Sequence, residues 1–197
     1  VCPKLNIRQR LNTLGYFAVK NNNESERLAS SSGGVFILLA KEIISSGGVV
    51  FGAVYDENWE VHHVSATNLV EVFPMMGSKY VQGRIEESYK QAEDFLKKGR
   101  KVLFTGSPCQ IAGLRSFLRF KEYSNLLAVD FLCHGVPSPG IWRQYLAESF
   151  GGYNRTAKMS PSATDGKNTV LLSVKSPPLR RTKIPFCRPY FIMIMSI

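Results

Sequence analysis

The chain has 197 residues, of which 44% are hydrophobic, 11% aromatic and 20% charged. That fits one globular domain with a sizeable core and excludes disordered, collagen-like and low-complexity classes. The formal net charge of +10 is uneven: residues 1–150 hold 17 Lys/Arg and 14 Asp/Glu, whereas residues 151–197 hold 8 Lys/Arg and one acid, Asp165. Basic residues gathered in the last quarter, neither lined along a helix nor interleaved with aromatics, speak against a nucleic-acid surface. No apolar run approaches the ~20 residues of a membrane-spanning helix, and no secretory leader is visible after Val1. Four widely spaced cysteines, Cys2, Cys109, Cys133 and Cys187, form no CxxC pair. They suit a reducing, cytoplasmic setting in which thiols serve chemistry or packing better than a disulfide framework.

In chain order, a short strand is expected around Tyr16–Val19, followed by a polar loop through Asn21–Asn23 and Glu24–Glu26. Ser30–Ser32, with Gly33 and Gly34, precede an apolar run from Val35 to Ile44, which reads as a helix with serine caps, stopped by Gly47-Gly48. Val49–Tyr55 and Trp59–Ala66 flank Asp56-Glu57-Asn58 and read as a β-hairpin. Glu86–Lys98 carries Tyr89, Ala92, Phe95 and Leu96 at helical spacing. Lys101–Thr105 and Asn125–Leu132 read as buried strands, Ile111–Phe120 as a helix and Pro139–Phe150 as another. Helix starts are expected near Ser32, Glu86, Gln110 and Pro139. Apolar strands without alternation, separated by helices, imply an α/β fold: a partly parallel sheet with helices on both faces. Beyond residue 150 the periodicity fails.

Two cysteine turns hold the most chemistry. Gly106-Ser107-Pro108-Cys109-Gln110 links a strand to a helix, where the positive helix end suits an anionic sulfur, a phosphate or a cluster sulfide. A small cysteine packed in a tight turn fits the same residues. Cys133-His134-Gly135 follows the next strand; if the two strands are neighbours, Cys109 and Cys133 share an edge. His134 suits a base, a ligand or a loop histidine held by backbone hydrogen bonds. Ser31-Ser32-Gly33-Gly34 before a helix suits an anion or a plain cap, and is neither a P-loop nor GxGxxG. Gly77-Ser78-Lys79-Tyr80 offers an ammonium and a ring beside a glycine, or else a solvated turn. Cys2-Pro3 matches the end of a bacterial-type ferredoxin cysteine run.

Taken together, SSSGGVF, GSKYVQ, VLFTGSPCQIAGL and DFLCHGVPSP, with Cys2-Pro3 ahead of them, resemble the beta subunit of coenzyme F420 hydrogenase/dehydrogenase, in particular the bacterial forms fused to a ferredoxin domain. The resemblance implies residues 1–6 as the tail end of a ferredoxin-like [4Fe–4S] domain, 7–155 as the beta-subunit-like domain, and 156–197 as an unmatched basic tail. It implies a flavin- and iron–sulfur-dependent oxidoreductase in which FAD passes electrons between [4Fe–4S] clusters and a small-molecule hydride donor or acceptor, coenzyme F420 in archaeal members. The electron partner would be a ferredoxin-type carrier or fused ferredoxin domain. Ser31, Ser32, Gly33, Gly34, Ser78, Lys79 and Tyr80, with Gly106, Pro108 and Gln110, would line the cofactor cleft. Cys109 and Cys133 would be cluster ligands or redox thiols beside the flavin, and Cys2 the last ligand of a ferredoxin cluster. Without the other cluster cysteines the chain alone is not expected to turn over. Two other classes fit the residues: a thiol enzyme using Cys109 or Cys133 with His134, and a non-catalytic fragment.

Regrouping the codons of Ala157–Thr169 by one reading frame allows Lys-Asn-Val-Ser-Phe-Arg-Asp followed by Gly-Trp-Lys-Lys-Tyr, which is similar to the segment the family carries there. Residues after about 155 are therefore expected to be out-of-frame translation. The coding DNA should encode that peptide in the shifted frame; DNA without it overturns the reading.

Overall fold

The computed structural model describes residues 16–150 and three short strand segments at 160–161, 172–173 and 192–194. Cys2, Cys187, the expected domain limits at 6 and 155, and most of the basic tail lie outside the described residues.

β1 (Tyr16–Ala18) leads to α1 (Glu24–Leu28), where a loop was expected. The polar run is helical because Asn23 caps it, accepting from the Glu26 backbone N–H, and Glu24 and Glu26 place negative charge in the first turn. α2 (Val35–Ser45) begins three residues after the expected Ser32, and its cap is Gly34 at φ +74°. That left-handed conformation favours glycine, and the serines are therefore not the cap. β2 (Val49–Tyr55) and β3 (Val61–Ala66) form the expected antiparallel hairpin, from Val50↔Ala66 to Tyr55↔Val61. β3 starts later than Trp59 because Trp59 turns left-handed (φ +60°) at the tip, where Asp56 Oδ1 accepts from the N–H groups of Asn58 and Glu60.

α3 (Leu69–Val72) and a 3₁₀ turn (Phe73–Met75) follow; their shortness hides them from periodicity. α4 (Ser88–Lys97) precedes β4 (Val102–Gly106). α5 (Pro108–Phe117) starts two residues ahead of the expected Gln110, with Ser107 as its cap and Pro108 at the first helical position. β5 (Leu126–Asp130) and α6 (Pro139–Phe150) complete the described domain. The remaining segments β6 (Ser160–Pro161), β7 (Leu172–Ser173) and β8 (Ile192–Ile194) pair as β6–β7 and β1–β8.

The main sheet has the order β3-β2-β4-β5. β2, β4 and β5 are parallel and β3 is the antiparallel edge. One face carries Val50, Val54 and Leu103 against Ile37, Ala40 and Ile43 of α2 and Val72 and Met75. The other carries Val49, Phe51, Val102 and Phe104 against Ala92 and Leu96 of α4 and Ile111 and Leu114 of α5. This is the α/β sheet covered on both faces that the strand pattern implies. β5 departs from expectation: all five of its residues are only half-buried, because it is the other edge of the sheet.

Phe104 is fully buried and stacks on Phe51 at 5.3 Å and on His63 at 5.6 Å. Phe104→Ala should destabilise the fold by about 3–5 kcal/mol, read from the urea unfolding midpoint.

Candidate functional site

The carboxyl ends of the parallel strands hold the candidate site. β4 and β5 pair in register from Val102↔Leu126 to Gly106↔Asp130, so the turns after them leave the sheet side by side. Cys109 and Cys133 each lie three residues beyond that last pair, and both are free and exposed. The shared edge expected from sequence is therefore present.

The turn at Cys109 is built by its neighbours. The Gln110 side chain folds back and accepts from the Ser107 backbone N–H at 2.9 Å. A Cβ on Gly106 would stand 2.9 Å from Gln110 Oε1, so glycine leaves room for this bond. Gly106, Pro108 and Gln110 thus shape the turn, and Cys109 Sγ lies 3.0 Å from Ser107 Oγ. The Tyr89 hydroxyl donates to Gln110 O at 2.7 Å, tying α4 to the turn; burial, and secondarily the Cys109 charge, push its pKa up to about 12.

α2 contributes from the other face. Its last turn passes through Gly47-Gly48 into the start of β2, so its N-terminus points toward the carboxyl ends of the strands. Its first turn has no acidic residue, and its Gly34 cap has no side-chain bond to the first N–H groups. These N–H groups suit an anion. Ser31 Oγ accepts from the Ser78 backbone N–H at 2.6 Å, so Ser31 and Ser78, 47 positions apart in sequence, meet. Gly33 lies against the Val19 carbonyl, where a Cβ would come within 2.8 Å. Ser32 is half-buried and Tyr80 exposed.

Lys79 differs from a free phosphate contact. Its ammonium donates to the carbonyls of Pro74, Met76 and Gly77 at 2.9–3.1 Å, which braces the turn, and burial lowers its pKa to about 8. The segment that follows crosses the site: Gln82 N–H donates to Pro137 O at 3.3 Å, bringing residues 77–83 to the Cys133 loop. In that loop Cys133 Sγ accepts from the Gly135 N–H at 3.4 Å, and His134 is exposed. The four motif segments therefore converge. Among the described residues there is no group of three or more His, Cys, Asp or Glu that could hold a metal ion.

Sequence reasoning missed His63. Its Nε2 faces the Thr105 carbonyl at 3.0 Å and therefore carries the proton, leaving a buried Nδ1 lone pair without a partner among the described residues. His62 and His63 also border a cavity of about 400 Å³ with Ser65, Glu86 and Ser88, beside the β3 edge. The phase His63 shares with Val61 and Ser65 marks its face of β3, but only the tertiary structure shows the Thr105 carbonyl opposite. Burial lowers the His63 pKa, outweighing the Thr105 bond, which raises it; His62 adds repulsion. Unfolded His63 takes up a proton as pH falls through about 6.5 and folded His63 does so only at lower pH, so in between the unfolded state binds more protons and stability falls as pH falls. Urea unfolding between pH 7 and pH 5 should show this loss, at up to about 1.4 kcal/mol per pH unit from this group. His63→Gln, which keeps a donor for Thr105 O, should flatten it.

Residues 99–179 match the family model for the C-terminal region of the beta subunit of coenzyme F420 hydrogenase/dehydrogenase. The match includes both cysteine turns and runs past residue 155 into the basic segment. The fold is similar to a chain of the F420-reducing [NiFe] hydrogenase complex from Methanosarcina barkeri, with a TM-score of 0.58 and 16% identity, over 79% of this chain and 56% of that one. This likeness concerns the fold, and the chain spans little more than half of that relative's length. No curated protein matches the chain. Over residues 99–179, then, the chain is similar to the coenzyme F420 hydrogenase/dehydrogenase beta subunit family.

Proposed function

We propose that this chain is part of a flavin- and iron–sulfur-dependent oxidoreductase that passes electrons between [4Fe–4S] clusters, FAD and a small-molecule hydride partner such as coenzyme F420. The observation that carries the reading is the convergence of four separate motifs on one sheet edge, through the Ser78–Ser31 and Gln82–Pro137 bonds and the Gly106↔Asp130 pair.

The residues present fit the diphosphate of FAD at the start of α2, where uncapped N–H groups meet no carboxylate of the first turn. Ser31, Ser32, Gly33 and Gly34 would hold it, and Ser78 would keep Ser31 in place through the backbone bond. Tyr80, exposed on the same segment, would face a ring system. FAD supplies the step between two-electron hydride chemistry and one-electron carriers. Lys79 supports this cleft through its three carbonyl bonds.

The cluster fit is partial. Cys109 and Cys133 supply two thiols, whereas an all-thiolate [4Fe–4S] site takes about four. The other ligands would come from outside the described residues, as Cys2 would for a ferredoxin-like cluster. A ferredoxin-type carrier or fused ferredoxin domain is the matching electron partner.

The test is iron and flavin stoichiometry, with anaerobic flavin reduction, on the intact protein. Cys109→Ala and Cys133→Ala should each lower iron content or flavin reduction, and Cys187→Ala should change neither. Equal values in all three, with the fold retained, overturn the reading. Activity lost to alkylation in a protein that binds no flavin would instead favour a thiol enzyme using His134.

A further inference from the structure

Cys133 lies in a segment that packing does not hold. Every residue from Phe131 to Ser138 is exposed, and among the described side chains of α6 Leu146 is the buried apolar one. A loop with so little burial takes its position from its anchors. One end is fixed by β5, whose Asp130 pairs with Gly106. Near the other end, Pro137 O accepts from Gln82 N–H, and Trp142 N–H donates to Ser138 O at the start of α6.

α6 itself is fastened to the far side of the sheet. The Trp142 indole N–H donates to Trp59 O at 2.7 Å, and the Arg143 guanidinium pairs with Glu60. Both acceptors belong to the tip of the β2–β3 hairpin, 83 residues earlier in the chain. That tip is rigid for its own reasons: Asp56 Oδ1 accepts two backbone N–H groups, and Arg84 pairs with both Asp56 and Glu60. The left-handed Trp59 sits within this frame, with its carbonyl accepting from Trp142. β3 and β5 are opposite edges of the sheet, so the chain from Phe131 to α6 spans its carboxyl end between them.

We propose that Trp142 and Arg143 are positioning residues for Cys133, clamping α6 to the hairpin tip so that the exposed 131–138 loop is held as a strap over the carboxyl end of the sheet. Its importance for function rests on the reading of Cys133 as a site thiol. The Trp142 donor and the Arg143 charge act through the loop and need not touch a cofactor.

The experiment uses the full chain with Cys2, Cys109 and Cys187 replaced by serine and a nitroxide label on Cys133; a companion protein carries the label on Cys109 instead. Trp142→Phe keeps a ring and removes the N–H donor, and Arg143→Met keeps an apolar stem and removes the charge. In either variant the mobile spectral component at Cys133 should be about fivefold more populated, the ratio that one ordinary hydrogen bond supports, with the Cys109 spectrum unchanged. Arg143→Lys should restore the ordered spectrum. If Trp142→Phe does not fold, Arg143→Met decides. An unchanged Cys133 spectrum, or equal mobilisation of both labels, overturns the proposal. The labels need neither iron nor flavin, so this result stands apart from that of the cofactor assay.

Discussion

Strand β4 is the constraint on which the rest of the domain depends. Val102, Leu103 and Phe104 are all fully buried, and the strand is parallel-paired on both sides. Leu103 enters the core beneath α2, while Val102 and Phe104 enter the core beneath α4 and α5. A strand buried on both faces cannot slip by one residue without exchanging the side chains of two cores. Its register is therefore specified, and with it the position at which the strand ends.

That end point determines the site. Because Gly106 lies opposite Asp130, the two cysteine turns emerge together. The turn at Cys109 is short and internally bonded through Gln110, with Tyr89 and His63 contacting its backbone from α4 and β3. The turn at Cys133 is long, exposed and bonded at few points. The two thiols thus share an edge but differ in how firmly they are held.

The segment from Gly77 to Glu86 connects what the strands leave apart. It touches Ser31 through Ser78 and Pro137 through Gln82. It then joins the exposed edge of β3, where Arg84 exchanges backbone bonds with Val61 and His63. Ser88 Oγ continues the cover by donating to His63 O. An edge strand that would otherwise present unpaired groups is covered by this stretch.

Much of the architecture was decided by local chemistry that the sequence displays. A non-alternating apolar run marked β4 as a strand of a covered sheet, the Asp56-Glu57-Asn58 break between two strand-like runs marked the β2–β3 hairpin, the apolar run after Ser30–Gly34 marked α2, and helical spacing marked α4, α5 and α6. The motifs carrying Cys109 and Cys133 could be placed after strands for the same reason. Other features were decided only by tertiary contacts. The Ser31 hydroxyl serves Ser78 rather than a helix cap, the Lys79 ammonium serves three carbonyls, and His63 serves Thr105. The anchoring of α6 on Trp59 and Glu60 joins residues 83 positions apart. Period and propensity report which face of an element is apolar, because burial repeats with the geometry of that element. They do not report which backbone group a polar side chain will meet, because that partner is brought to it by the packing of distant elements.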